Sequence, residues 1–505
     1  MIKLIYRIES DYMSKKRMLI VTSVTLSVVT ISLGIVKLYQ TYALSNYIGT
    51  VTDTGIDVYI NDDSYASIPA NGSSNVYYML TNTNPGTVKY GVAYQTTSGV
   101  TVKVYDTSED PATGTIEEND KKYIKLHLEN KNSTNKTIEL STVLGYENGG
   151  DLVVPSGVTL VTDTYTPPPT AAEYITKLYT TASKTTVTNN SITYNTAPSV
   201  SLMNDRLGGT TTDLDGGNIR YYGASPNNYI YFNCSDYSNQ TSSTCETWRI
   251  IGVFDGKLKL IRGSQIGTYS WDNKDTSTGA ESNFGKNDWT TARLMKLLNP
   301  SDYYTTDSND NNLGQGLYYN SASGKCYSGQ NNATVDCNFT STGIKNDITR
   351  NMIAETTYNL GGWNSNTVYP NLMYEKERGT TVYTGRPTTP WTGKIALAYT
   401  SDYGYAADLN QCKDKTLYDY DNRTCTSNNW MKAIITNNGS NSGWLLTPYC
   451  STSSNVWYVY PVGNVYFNYT VYSAFGAVPV LSLSSELGIE SGGDGSSSKP
   501  YKLSA

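Results

Sequence analysis

The sequence predicts a multidomain protein: an N-terminal membrane-spanning helix, an antiparallel β-sandwich, and a large α+β domain braced by local disulfides. Three observations lead there. Residues 18–36 form an uncharged apolar run; residues 50–165 alternate apolar and polar side chains; residues 216–484 are dense in Trp, Tyr and closely spaced Cys. At roughly 150 residues per domain, the chain allows about three folded units with sizeable cores.

The run Met18 to Val36 is 19 residues long, near the ~20 a helix needs to cross a bilayer. Lys3, Arg7, Lys15, Lys16 and Arg17 precede it, against Glu9 and Asp11. The positive-inside rule then puts residues 1–17 in the cytoplasm. Residues 18–36 become a single-pass signal-anchor, and the bulk of the chain is extracellular. The alternative is a secreted chain, its leader cleaved near Ala43 in Thr41-Tyr42-Ala43. Both readings export everything that follows.

Residues 50–165 follow a strand period. Val88, Tyr90, Val92 and Tyr94 share one face, as do Val100, Val102 and Val104, then Ile124, Leu126 and Leu128, then Ile138, Leu140 and Leu144. Turn residues such as Asn84-Pro85-Gly86 and Ser98-Gly99 separate these runs. Short strands at this spacing, with no helical stretch between them, predict an immunoglobulin-like sandwich. The sole histidine, His127, falls in the polar phase and reads as a solvated strand residue.

Pro167-Pro168-Pro169 is a stiff break. Residues 166–215 read as a linker carrying one short helix over Ala171 to Ala182, and residues 485–505 as a Gly/Ser-rich tail. Between them, residues 216–484 hold the distal domain. Asp255-Gly256 turns a hairpin from Trp248 to Ile261. A helix is expected over Asn287 to Asn299, capped by Asp288 or Thr290 and stopped by Pro300. Six cysteines admit 15 connectivities, and their spacing favours the local pairs Cys234/Cys245, Cys326/Cys337 and Cys412/Cys425, with Cys450 left over. Such bridges suit an exported chain.

Trp248-Arg249-Ile250-Ile251-Gly252, the run from Trp289 to Asn299, Ser401-Asp402-Tyr403-Gly404-Tyr405-Ala406, Cys326-Tyr327-Ser328-Gly329-Gln330, Trp444-Leu-Leu-Thr-Pro448 and Gly476-Ala-Val-Pro-Val-Leu481 follow one another in a set order. That order resembles an uncharacterised bacterial surface-protein domain over roughly residues 215–484. The domain is similar to C-type-lectin-like folds, shared with formylglycine-generating enzymes. The resemblance implies a C-type-lectin-like distal domain. Two departures stand out: Val478 replaces an Arg of the pattern, and Tyr449-Cys450 follows the Thr-Pro. The sugar-binding Glu-Pro-Asn, Gln-Pro-Asp and Trp-Asn-Asp triplets of calcium-dependent lectins are absent.

Composition narrows function. A net charge of −6 argues against nucleic-acid binding. One histidine argues against histidine-based triads and metal sites, and nucleophile, zinc and phosphate-loop motifs are absent. Asp236, Glu246, Asp272, Glu281 and Asp288 could supply a glycosidase-like carboxylate pair, but no spacing selects one. Asp213-Leu214-Asp215-Gly216-Gly217 and Asp494-Gly495 lack the ligand pattern of an EF-type calcium loop. We therefore expect no catalytic residue, metal or cofactor.

With 45 Tyr against 8 Trp and 6 Phe, tyrosine is the candidate recognition chemistry, because it gives a rigid contact area and one hydroxyl. In the late hairpin, Trp457, Val459, Val465 and Phe467 are expected to face inward. Tyr458, Tyr460, Tyr466 and Asn468, with Tyr469 and Tyr472 beyond, then form a ligand-binding face. The expected function is cell-surface binding or adhesion toward an extracellular glycan or protein. The alternatives are a carbohydrate-active envelope enzyme and a structural surface-layer component.

Overall fold

The computed structural model describes residues 44–504, apart from 53–54, 60–64, 83–85, 146–151, 153, 275–282, 307–312, 384–385, 388–389 and 414. The expected cytoplasmic segment 1–17, span 18–36 and cleavage point Ala43 lie outside these residues, as does Glu281. The chain divides into two compact units, Met1–Pro167 and Pro168–Ala505, so the boundary falls within the triple proline.

In the first unit, two sheets pack face to face. One runs, in order, Thr164–Tyr165, Val100–Tyr105, Lys121–Asn130, Gly72–Asn82, Leu44–Thr52 and Gly55–Tyr59. The other runs Val158–Leu160, Val88–Gln95, Lys136–Gly145 and Tyr65–Ile68, with Thr113–Ile116 also pairing to Val88–Gln95. Alternate residues fill the space between: Tyr78, Leu80, Ile124, Leu126 and Leu128 from the first sheet, Tyr90, Val92, Ile138 and Leu140 from the second. Period-two alternation sends one face of each strand there, which is why these runs read clearly as strands.

His127 departs from expectation. It lies on the face opposite Leu126 and Leu128, yet it is only 5% exposed. Thr164–Tyr165 pairs in parallel with Val100–Tyr105 and lays the Tyr165 ring flat on the imidazole, with centroids 3.6 Å apart. His127 Nδ1 meets Asn75 Oδ1 at 2.8 Å, and burial lowers the ring's pKa despite nearby Glu129. His127 is therefore a covered strand residue.

The second unit is organised on a nine-stranded sheet. Its order is Thr185–Asn189, Ile192–Ala197, Leu202–Asn204, Ile219–Tyr221, Glu246–Phe254, Lys257–Arg262, Val480–Ser482 and Ile395–Ala396, with Tyr229–Phe232 also pairing to Glu246–Phe254. The 246–262 hairpin turns at Asp255 and Gly256, both with positive φ (49° and 72°), as a two-residue loop between twisted strands requires. A five-stranded sheet holds Thr268–Tyr269, Phe475–Gly476, Gly443–Pro448, Val456–Val459 and Val465–Tyr466. One core gathers Trp248, Trp271, Trp289 and Trp444; a second gathers Trp430, Trp457, Tyr403 and Val480.

These observations correct the expected fold class. The described chain is mostly β, 36% strand against 15% helix, rather than α+β. Among the described residues, no helix is long and apolar enough to cross a membrane. Residues 166–215 contribute the helix Ala171–Thr181 and the strands at 185–189, 192–197 and 202–204. The terminal segment pairs Gly488–Ile489 with Leu503–Ser504 and buries Tyr501 and Leu503 in the first core. The helix expected over 287–299 shrinks to Arg293–Leu298, all six residues of which are buried. Asp288 instead caps the preceding turn, accepting from the Thr290 N–H (3.1 Å) and Oγ1 (2.6 Å).

Candidate functional site

The late hairpin is built from Gly443–Pro448, Val456–Val459 and Val465–Tyr466, with Trp444 opposite Tyr458, Tyr458 opposite Tyr466, and Val459 opposite Val465. Between the last two strands the chain reverses: the Tyr460 N–H donates to the Asn464 carbonyl (2.9 Å), and the Gly463 N–H to that of Tyr460 (2.8 Å). Gly463 has φ +114°, and a Cβ there would meet Thr426 Cγ2 at 2.6 Å, so the turn depends on glycine.

The side chains divide differently from the sequence expectation. Trp457, Val459 and Val465 enter the second core, as expected, and Phe467 packs partly buried against it. Tyr458 does not face solvent. It is 1% exposed and belongs to the first core, where its ring meets Phe475 (5.0 Å), Tyr469 (5.6 Å) and Trp444 (6.2 Å). Its hydroxyl donates to Asn468 Oδ1 at 2.5 Å. The cause is topological: Val456–Val459 is an interior strand with a core on each face, so both phases are buried.

Tyr460 and Tyr469 are 40% and 46% exposed, Asn468 is exposed, and Tyr466 is half-buried. Tyr466 makes edge contacts with Tyr460 (5.6 Å) and with Tyr418 (4.9 Å), a residue outside the expected set. Tyr472 packs instead on Phe284, 5.7 Å away. The structure thus brings Tyr460, Tyr466, Asn468 and Tyr469 around Tyr458, and Val462 at the turn is 51% exposed. What remains accessible is an aromatic patch with phenol and amide groups but no charge of its own. Such a patch can stack on the C–H face of a sugar or on a peptide plane while exchanging hydrogen bonds.

Elsewhere the potential chemistry is tied up in structure. Cys234–Cys245, Cys326–Cys337 and Cys412–Cys425 are bonded. Cys450 belongs to none of the three bridges, and burial pushes its thiol up to about 11, away from thiolate reactivity. Asp236 accepts from the Ser238 N–H (2.9 Å) and hydroxyl (2.6 Å), Glu246 pairs with Arg262, and Asp288 caps its turn. Asp272 is fully buried, and burial raises its carboxyl; Oδ2 accepts from the Lys286 N–H at 2.8 Å. Asp215 Oδ1 is taken up by Tyr179 and Asn195, and Asp494 by the Ser496 N–H. Among the described residues, no three His, Cys, Asp or Glu side chains are grouped to hold a metal.

A buried ionic network escaped the sequence reading. Asp402 accepts from Arg220 at 2.8 Å and from Lys259, and Arg220 Nε also meets Asp205 at 2.5 Å. All four side chains are at most 7% exposed. Burial alone would raise the Asp402 carboxyl, but Lys259 and Arg220 hold it below the usual carboxylate range. Nearby, the fully buried Glu377 takes the Ser401 N–H (2.9 Å), the Ser401 hydroxyl and the Thr447 hydroxyl (2.8 Å), and burial raises its pKa. Two cations balance two anions around Asp402, so this network braces the sheet to the helix Thr400–Tyr405.

The chain matches no protein-family model and no curated protein.

Proposed function

We propose that this chain is an exported binding protein that recognises a neutral extracellular glycan on the aromatic patch of the late hairpin. The observation that carries the reading is the exposure of Tyr460 and Tyr469 beside half-buried Tyr466, fixed to a buried Tyr458–Asn468 base. Rings held by ordered neighbours lose little entropy on binding, and stacking on a sugar needs no charge. Three disulfides in one domain support an oxidising, extracytoplasmic location.

Glycan-array screening followed by calorimetry tests the proposal. Binding should survive EDTA, since the patch uses aromatic and amide groups only. Tyr460→Ala and Tyr469→Ala should each weaken it about tenfold, roughly 1.4 kcal/mol, without changing the melting temperature. Glycan binding that both variants leave intact would overturn the assignment.

A further inference from the structure

A cleft opens beside the nine-stranded sheet, and none of its lining residues is a tyrosine of the late hairpin. Tyr229, Glu246, Arg249, Arg262, Ser264 and Ala433 are among the residues lining a cleft of about 470 Å³. That volume falls within the ~300–1,000 Å³ common for small-ligand sites.

Two guanidinium groups reach this cleft, and they differ in one respect. Arg262 is neutralised: Glu246 accepts from its Nε at 3.0 Å and its Nη2 at 3.3 Å, while Nη1 donates to Ser264 Oγ at 2.9 Å. Arg249 is 7% exposed and, among the described residues, pairs with no carboxylate. Its Nε donates to Asn228 Oδ1 (2.5 Å) and its Nη2 to the Pro226 carbonyl (3.3 Å). The guanidinium is stacked over Tyr229 at 3.7 Å and near Trp430 at 4.9 Å. Burial without a counter-ion pulls its pKa down to about 10. By contrast, the buried Arg220 has two acids beside it. A desolvated cation lacking a partner is costly unless something supplies the missing charge.

The charged groups of the lining, Glu246, Arg249 and Arg262, sum to +1. One negative charge balances that sum, whereas a dianion would face Glu246. With Nε and Nη2 donating to Asn228 and Pro226, Nη1 is the Arg249 nitrogen left to meet a carboxylate oxygen, and a bond of that kind is charge-assisted.

We infer that this cleft binds a small carboxylate-bearing ligand, an acidic sugar or an acidic amino acid, whose carboxylate sits beside Arg249 as its counter-ion. The site uses none of the aromatic-patch residues and stands independently of the glycan reading.

The test is titration calorimetry of the full chain at low salt with glucuronate, glutamate and glucose. At least one acid should bind while glucose does not, and the two acids distinguish a sugar source from an amino-acid source. Arg249→Gln should weaken acid binding at least tenfold. Because Arg249 also packs on two rings, Ala433→Trp provides the second variant: Ala433 is exposed on the helix Trp430–Ile435, so the added indole fills the cleft and leaves the guanidinium intact. That variant should melt like the parent and lose acid binding at least tenfold. Failure of both acids to bind, or an Ala433→Trp protein that binds them as the parent does, would overturn the inference.

Discussion

Tyr458 offers the sharpest test of how the late hairpin is built. Replacing it with Ala removes a ring that is 1% exposed and in contact with Trp444, Phe475 and Tyr469. Aromatic-to-Ala changes at such positions cost about 3–5 kcal/mol, the transfer term plus the cavity. Tyr458→Phe keeps the ring and loses only the 2.5 Å bond to Asn468, which is exposed enough for water to replace the donor. That change should cost about 1 kcal/mol. Tyr460→Ala, at a 40% exposed ring on the next residue but one, should stay within about 0.5 kcal/mol. All eight Trp lie beyond Pro167, so intrinsic fluorescence during urea unfolding reads the second unit alone. The expected order of loss is Tyr458→Ala, then Tyr458→Phe, then Tyr460→Ala. A Tyr458→Ala protein as stable as the parent would mean that the strand has solvent on that face, and the two-core account of the hairpin would fail.

Asp402→Asn leaves Arg220 and Lys259 buried with one anion fewer and should cost about 3–5 kcal/mol; a loss under 1 kcal/mol in the same urea assay would refute the brace. Because Asp402 is held below the carboxylate range, its contribution is full above the unfolded value and is lost as pH falls through the folded one. Glu377 has the opposite sign: its carboxyl is raised, so folding loses stability as pH climbs from the ordinary glutamate value to the folded one, and Glu377→Gln should flatten that part of the pH–stability curve. Cys450, half-buried with a raised thiol, should react with iodoacetamide at pH 8 far more slowly in the native protein than in urea, as mass spectrometry after timed quenching would show.

The first unit was legible because each strand has one core. Val88, Tyr90 and Val92, or Ile124, Leu126 and Leu128, alternate with polar residues, and the apolar phase is the buried one. The same rule misled at Val456-Trp457-Tyr458-Val459, where all four residues are apolar or aromatic and all four are buried. Alternation there has no phase to read, since cores lie on both faces. Residues 185–204, within the 166–215 stretch that reads as linker, are rich in Thr, Asn and Ser, yet Thr185–Asn189 is an edge strand and needs little apolar character. The Gly/Ser tail likewise hid Tyr501 and Leu503, which pack in the core despite their polar surroundings. Tyr460, which the alternation counts as part of the strand, lies just past its end at Val459, and there it and Tyr469 are exposed.

The charged residues pose a different problem, since a buried arginine looks the same in sequence whether it braces the fold or awaits a ligand. Arg220 lies in Ile-Arg-Tyr and Arg249 in Trp-Arg-Ile, each between apolar neighbours on a strand, and both are buried against aromatic rings. What separates them is the number of acids that distant segments bring alongside. Asp205 and Asp402, the latter 182 residues away, converge on Arg220; Arg249 receives an amide and a carbonyl. Long-range pairing of this kind leaves no local signature, so only the tertiary structure assigns a counter-ion to one cation and withholds it from the other. The balance of charge around each then decides its role. Where the acids equal the bases, removing one partner should cost stability; where a base is left over, removing it should cost ligand affinity.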